Sequence, residues 1–86
     1  MSEEKIRDLL TELHQELRQT DEVEPETLEL VRKLDKDCRT VIHNAEDVNS
    51  PLLQDAISLE AIFAVNHPLA EKIIRELINT LGRMGI

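Results

Sequence analysis

The C-terminal segment, residues 68–86, constrains the fold of this chain more than any other part of the sequence. Its apolar residues recur at alternating spacings of four and three, with further apolar residues beside this stripe: Ala70, Ile74, Leu77, Leu81 and Met84, flanked by Leu69, Ile73 and Ile78. This spacing predicts an amphipathic helix whose apolar face is wide enough to contact more than one neighbour. Pro68 marks the start of this helix and Gly85 marks its end.

Similar spacing predicts three helices ahead of this one, so that helices cover about 3–19, 25–45, 51–65 and 68–84. The first two have similar lengths and suit an antiparallel hairpin. We therefore predict an all-α fold in a single domain, residues 1–86: a small antiparallel bundle of three to four helices with coiled-coil-like packing. The residues expected to face inward are Ile6, Leu9, Leu10, Leu13 and Leu17 in the first helix, Leu28, Val31, Leu34, Cys38, Val41, Ile42 and Ala45 in the second, and Leu53, Ala56, Ile57 and Phe63 in the third.

The step at His67-Pro68 leaves two arrangements open. Proline disfavours the α conformation of the residue before it, so His67 should leave helical geometry and two helices should meet at a sharp bend. The alternative is a single kinked helix, because the apolar spacing of the third helix continues in phase into the fourth. At a bend, His67 is expected to cap the last helix or hold the bend against another helix, and to pair with Glu71. His67, Pro68 and Gly85 are therefore structural candidates.

The small size of the chain favours self-association. A chain of 86 residues buries only a modest share of its surface, and such chains commonly gain stability from disulfides, metals or oligomerisation. Cys38 is the only cysteine, so a disulfide within the chain is excluded. Phe63 is the only aromatic residue, so aromatic side chains contribute little to the hydrophobic core. We expect a homodimer whose interface uses the last helix, with the candidates Leu69, Ile73, Ile74, Leu77, Ile78, Leu81 and Met84.

Acidic side chains are concentrated in the first third of the chain. Residues 1–30 hold ten acidic and three basic side chains and so carry −7 of the net charge of −8. Such a field repels phosphates and anionic lipid, which argues against nucleic acid and membrane surfaces as partners. The N-terminus lacks a signal-peptide pattern, and a single cysteine is typical of a reducing compartment, so we expect a cytoplasmic protein.

Three local strings together resemble a known family. They are Glu12-Leu13-His14-Gln15-Glu16-Leu17, Pro25-Glu26-Thr27-Leu28-Glu29-Leu30, and His67-Pro68-Leu69 with the terminal Met84-Gly85-Ile86. The sequence resembles, over nearly its whole length, a family of short bacterial proteins catalogued as domain of unknown function 4404. The resemblance implies an all-helical fold without an established activity.

The residues that commonly carry chemistry are spaced in ways that disfavour an enzyme. No His-x-x-x-His, Cys-x-x-Cys or Glu-x-x-His pair exists, so we expect no metal site, and no cofactor or catalytic residue is assigned. Cys38 lies on the apolar stripe and is expected to be a buried packing residue. His14 lies at the edge of the first stripe and is expected to hydrogen-bond to a nearby carboxylate, although a phosphohistidine role is conceivable.

These observations favour a non-enzymatic helical protein that acts through protein–protein contacts and self-associates. One alternative is a small phosphotransfer or enzyme domain that uses His14. A second alternative is an acidic regulator that covers a basic partner protein.

Overall fold

The computed structural model describes residues 2–20, 23–43 and 52–85. These residues form four helices: α1 (Ser2–Arg18), α2 (Pro25–His43), α3 (Leu52–Asn66) and α4 (Pro68–Arg83). The predicted boundaries differ from these by at most one residue where the structure describes the chain. The predicted end of α2 near Ala45 and the predicted start of α3 at Pro51 lie outside the described residues.

Helices α3 and α4 are separate helices that fold back on each other. His67 lies between them with φ −133° and ψ 74°, outside helical geometry, and Pro68 opens α4. Arg75 Nε donates a hydrogen bond to Glu60 Oε2 at 3.2 Å. In a continuous helix these two residues would be about 22 Å apart, since each residue adds 1.5 Å. The junction is therefore the sharp bend, and the single kinked helix is wrong.

Each pair of neighbouring helices is crossed by a polar side-chain contact. These are His14–Asp35 between α1 and α2, Lys33–Asp55 between α2 and α3, Glu60–Arg75 between α3 and α4, and Lys5–Glu76 between α1 and α4. Second contacts lie further along one helix and further back along the other: Leu17 lies near Leu28, Thr27 near Asn66 and Glu16 near Leu69, so neighbouring helices are antiparallel. Pairs as exposed as Lys5–Glu76 each add at most about 1 kcal/mol, so they align the helices more than they stabilise them.

The four helices form an up-down-up-down bundle in which α1 lies diagonally opposite α3. The expected antiparallel pairing of α1 and α2 is present, but it is the loosest of the four contacts. A cleft of about 290 Å³ opens between these two helices, beside Leu17 and Val31. Helix α1 packs more closely on α4, because the wide apolar face of α4 contacts α1 on one side and α3 on the other. Within the described residues, no helix is both long and apolar enough to cross a membrane.

The hydrophobic core draws on all four helices. The apolar stripe predicted for α1 is confirmed, and so are Val31, Leu34 and Cys38 of α2, whereas Val41, Ile42 and Ala45 lie outside the described side chains. Phe63 of α3 is fully buried and is the largest residue of the core. The buried apolar residues are Ile6, Leu9, Leu10, Leu13, Leu17, Val31, Leu34, Cys38, Leu52, Ala56, Leu59, Phe63, Ala70, Ile74, Leu77 and Leu81.

The inward side of α3 differs from the prediction. Ala56 and Phe63 are buried as expected, but Leu52 and Leu59 complete the buried set. Leu53 is only half-buried, and Ile57, which was expected in the core, is 51% exposed. The prediction failed because α3 is apolar on both sides, so its sequence does not show which side faces the core.

Helix α4 ends as the sequence predicts. The backbone N–H of Met84 donates to the carbonyls of Thr80 and Leu81. The N–H of Gly85 donates to the carbonyl of Gly82. Gly85 has φ +83°, a left-handed conformation that glycine adopts without strain, and it directs the chain out of the helix.

Candidate functional site

The most unusual surface of the described molecule is the side of α3 that points away from the core. Large apolar residues are exposed on it, including Ile57 at 51%, Ile62 at 43% and Val65 at 76%. Small residues separate them. We call this surface the α3 outer face, and it consists of Ile57, Ser58, Ala61, Ile62, Ala64 and Val65.

No charged residue belongs to the α3 outer face, although 33% of the residues in the chain are charged. The two acidic residues of α3, Asp55 and Glu60, lie at its edges, where they pair with Lys33 of α2 and Arg75 of α4. The other three helices present charged residues outward, as the exposed sides of soluble helices usually do. Exposed apolar surfaces are common at sites of contact with other molecules, which makes the α3 outer face the candidate site.

The interface predicted on α4 is largely unavailable to a second molecule. Ile74, Leu77 and Leu81 are fully buried inside the single chain, so as folded they have no surface to offer a second molecule. Ile73, Ile78 and Met84 are half-buried and pack against the same core. Of the seven candidates, only Leu69 is exposed, at 60%. The wide apolar face of α4 is needed by its own neighbours, α1 and α3.

Leu69 borders a shallow groove between α1 and α4. The groove has a volume of about 310 Å³, and Leu9 and Ile73 form its apolar floor. Charged residues form its rim, three acidic and one basic: Glu12, Glu16, Glu76 and Lys72. The groove is therefore a second, more acidic apolar surface on a different side of the bundle from the α3 outer face.

His67 holds the bend through its ring and its backbone. Its ring meets the ring of Phe63 edge to face, with centroids 5.8 Å apart and planes at 81°. Its backbone N–H bonds to the carbonyl of Phe63, and its carbonyl accepts from the N–H of Glu71. The expected side-chain cap is absent, and the carboxylate of Glu71 bonds to Arg75 instead of His67. The histidine thus positions α4 by packing on a core residue.

His14 faces a carboxylate across the seam between α1 and α2. Its Nε2 lies 3.4 Å from Asp35 Oδ1, and its side chain is 39% exposed. Asp35 also accepts a hydrogen bond from Arg39 Nε at 2.9 Å, and this bond raises the pKa of Arg39. His14 therefore has the carboxylate neighbour that its position at the stripe edge indicated.

Cys38 is buried in the core among apolar residues. The pKa of its thiol is raised to about 12, mainly by burial and in addition by the negative charges of Asp35 and Asp37. Its thiol is therefore protonated at neutral pH and is a poor nucleophile or metal ligand. Among the residues that the structure describes, no three His, Cys, Asp or Glu side chains are grouped closely enough to hold a metal ion.

Sequence reasoning overlooked the α3 outer face, although one signal for it was present. Between Ala61 and Asn66 there is no charged residue, and apolar or small residues occupy every side of the helix. A soluble helix with this composition has more apolar surface than one core can cover.

A family model described as "Domain of unknown function (DUF4404)" matches residues 6–86. Comparisons with curated proteins and with solved structures found no match to the chain.

Proposed function

The chain belongs to the DUF4404 family, and we propose that it is a non-enzymatic helical protein that acts through protein–protein contacts and self-associates. The α3 outer face is the observation that carries this proposal. The core of the single chain is complete without it, because Leu52, Ala56, Leu59 and Phe63 already fill the inward side of α3. Its apolar residues are therefore not needed to fold the monomer.

Contact with another protein is favoured over small-molecule chemistry by the shape of this surface. The α3 outer face is the exposed side of one helix and carries no charged residue, whereas small-molecule sites are concave with a few converging polar groups. Burying apolar side chains of this size contributes about 1.5–3 kcal/mol for each one that is fully covered. Such a surface gains most from another apolar surface of matching shape.

Sedimentation equilibrium of the full chain tests self-association. We expect a dimer of the 9.9 kDa chain at micromolar concentration, with an apparent mass that falls on dilution. A mass of one chain throughout the micromolar range would contradict self-association. A pull-down from native lysate in parallel then asks whether another protein binds.

The His14–Asp35 contact favours a second candidate function, phosphoryl transfer through His14. If Nε2 donates to Asp35, the other ring nitrogen, Nδ1, has a free lone pair with which to attack phosphorus. With phosphoramidate, a P–N bond would break, ammonia would leave, and the Nε2 proton would be released to Asp35 or water. One acid-labile phosphoryl group per chain, lost in both His14→Gln and Asp35→Asn, would support this function. Labelling of all three histidines alike would reject it.

A further inference from the structure

We infer that the cleft between α1 and α2 is a binding site for a small carboxylate ligand with an apolar tail. We call it the α1–α2 cleft, and its lining residues are His14, Leu17, Arg18, Leu28, Val31 and Arg32. Three features support the inference: an apolar floor, an arginine from each helix without a carboxylate partner, and a lining without acidic side chains. The inference does not depend on self-association, and no residue of α3 lines the cleft.

The floor of the α1–α2 cleft is apolar and belongs to the hydrophobic core. Val31 is 2% exposed and Leu17 is 9% exposed, and Leu28 is half-buried and packs against the same core. The space above these side chains stays open because α1 and α2 make the loosest of the four helix contacts. A ligand with an apolar tail that lies on this floor removes apolar surface from water, both its own and that of the protein.

Two arginines border this floor, one from each helix. Arg18 lies in the last turn of α1, and Arg32 lies on α2. Among the described residues, neither side chain forms an ion pair, whereas Lys33, the next residue of α2, pairs with Asp55. A guanidinium group presents its N–H donors in a planar fork that matches a carboxylate. Both forks therefore remain available to an anionic ligand in the cleft.

The charge of the cleft is opposite in sign to that of the protein. The chain holds 18 acidic and 10 basic side chains, yet none of the described residues that line the α1–α2 cleft is acidic. The groove between α1 and α4 has a similar volume, about 310 Å³, but three acidic residues lie on its rim. Asp35, the carboxylate that contacts His14, also accepts a hydrogen bond from Arg39, which offsets its charge. A basic lining of this kind favours an anionic ligand and disfavours a cationic one.

The volume of the cleft limits the size of the ligand. The cleft measures about 290 Å³. At about 30 Å³ for each water-sized group, a cavity of this volume holds about ten non-hydrogen atoms. A carboxylate between the arginines, with a short hydrocarbon tail on the floor, uses both parts of the lining. Inorganic phosphate would leave the floor uncovered, and a neutral hydrocarbon would leave the arginines unpaired. Octanoate, which has eight carbons and two oxygens, is therefore a probe of matching size and chemistry.

Titration of the full chain with octanoate, followed by the chemical shifts of backbone amides, tests both the location and the chemistry of the site. We expect saturable shifts that are largest at the residues lining the cleft, with a dissociation constant of about 1 mM or lower. Octan-1-ol has the tail without the charge, and inorganic phosphate has charge without the tail. Each should bind at least about tenfold more weakly than octanoate. Equal binding of octan-1-ol would overturn the role of the arginines, and equal binding of phosphate would overturn the role of the apolar floor.

Two double variants test the arginines directly. Arg18→Gln with Arg32→Gln removes both charges, and the fold should be retained because both side chains are exposed. We expect the dissociation constant for octanoate to rise at least about tenfold, since the charge-assisted hydrogen bonds are lost. Arg18→Lys with Arg32→Lys keeps the charges but loses the planar forks, so its affinity should lie between those of the native chain and the glutamine pair. Circular dichroism melts show whether each variant is folded.

The matched control removes two cations from α4, the helix diagonally opposite α2. Lys72 and Arg83 are exposed on α4 and do not line the cleft. Lys72→Gln with Arg83→Gln changes the net charge by the same amount as the glutamine pair in the cleft. It should leave the dissociation constant for octanoate within about twofold of the native value at 0.1 M salt, because charges beyond about 10 Å are largely screened there. Equal weakening by the two glutamine pairs would show that overall charge governs binding, and it would overturn the inference.

The position of the shifts separates the cleft from the exposed apolar surface on α3. Shifts centred on Ile57 and Val65, without shifts at Arg18 and Arg32, would show that octanoate binds the α3 outer face, and they would overturn the inference. The absence of saturable shifts up to about 10 mM octanoate would overturn it as well. Shifts at the cleft that are lost in the glutamine pair on α1 and α2, and kept in the pair on α4, support it whether the native chain is a monomer or a dimer.

Discussion

Helix α3 differs from the other three helices in what it presents to solvent. Helices α1, α2 and α4 each bury an apolar stripe and expose charged residues on the opposite side. Helix α3 buries Leu52, Ala56, Leu59 and Phe63 and then exposes further apolar residues such as Ile57 and Val65. Helices α1, α2 and α4 thus have the apolar and charged sides that a single folded chain needs in water. Helix α3 has an apolar side beyond those needs, which is the reason to assign it a contact outside the chain.

The same difference separates stability from interaction. On α1, α2 and α4, the apolar residues hold the bundle together and the charged residues keep it soluble. On α3, two sets of apolar residues lie on opposite sides of one helix, and only the inward set packs in the core of the chain. Substitutions on its inward side should therefore unfold the monomer, while substitutions on its outer face should affect assembly.

Substituting Leu59 and Ile57 tests this division and should give the largest effect. Leu59 is fully buried, so Leu59→Ala should lower the free energy of unfolding by about 2–5 kcal/mol through lost burial and a cavity. Ile57→Ala, at a site that is half-exposed, should change it by no more than about 0.5 kcal/mol. Urea unfolding monitored by circular dichroism, at concentrations where the protein is monomeric, measures both. Equal losses from the two variants would contradict the observed inward side of α3.

The sequence predicted four helices and the whole buried apolar stripe of α1. Charged residues such as Glu3, Arg7 and Asp8 mark the outer side of that helix, so its sequence shows which side faces the core. On α3 the prediction placed Leu53 and Ile57 inward, because no charge marks the outer side between Ala61 and Asn66. The sequence also assigned the wide stripe of α4 to a dimer. Only the packing of α4 between α1 and α3 shows that Ile74, Leu77 and Leu81 belong to the monomer.

Cys38 gives a test on an amphipathic helix, with a smaller expected effect. Cys38→Ala should lower the free energy of unfolding by roughly 1 kcal/mol or somewhat more, because it leaves a small cavity without removing a ligand. Chemical denaturation measures the loss. Stoichiometric zinc in the purified protein, absent from the variant, would show that Cys38 is a ligand and not a packing residue.

The thiol of Cys38 also makes alkaline stability depend on pH in a defined direction. Burial raises its pKa from the ordinary 9.0 to about 12. Below about pH 9 the thiol is protonated in both the folded and the unfolded chain, so its contribution to the free energy of unfolding is fully present. Between about pH 9 and pH 12 the unfolded chain releases the proton first, so stability falls as pH rises. The free energy of unfolding of Cys38→Ala should therefore fall less than that of the native chain over this pH range. Denaturant unfolding at several pH values measures both, and an equal fall in the two proteins would contradict the raised pKa of Cys38.

The bend at Pro68 tests how α3 is joined to the amphipathic α4. Pro68→Ala should lower the free energy of unfolding by less than about 1 kcal/mol, because the unfolded chain gains freedom. It also removes the restraint that keeps His67 out of helical geometry. Pro25→Ala is the matched control, since Pro25 is the first residue of α2 and follows a connection instead of another helix. Thermal melts should show a larger fall for Pro68→Ala, and a rise in its midpoint would contradict the bend.

The smallest effects are expected at the C-terminal end of α4, where two glycines differ in conformation. Gly82 is exposed within the helix, and a methyl group added there would meet no atom within 4 Å. Gly82→Ala should therefore raise the free energy of unfolding by about 0.5 kcal/mol, because alanine favours the helix and restricts the unfolded chain. Gly85 has equal space but a φ of +83°, which a residue with a Cβ adopts only at a cost. Gly85→Ala should lower stability by a similar amount. Thermal melts of the two variants measured together decide the matter: shifts of opposite sign show that helical conformation, not space, distinguishes the glycines, and equal shifts would contradict the left-handed turn that ends α4.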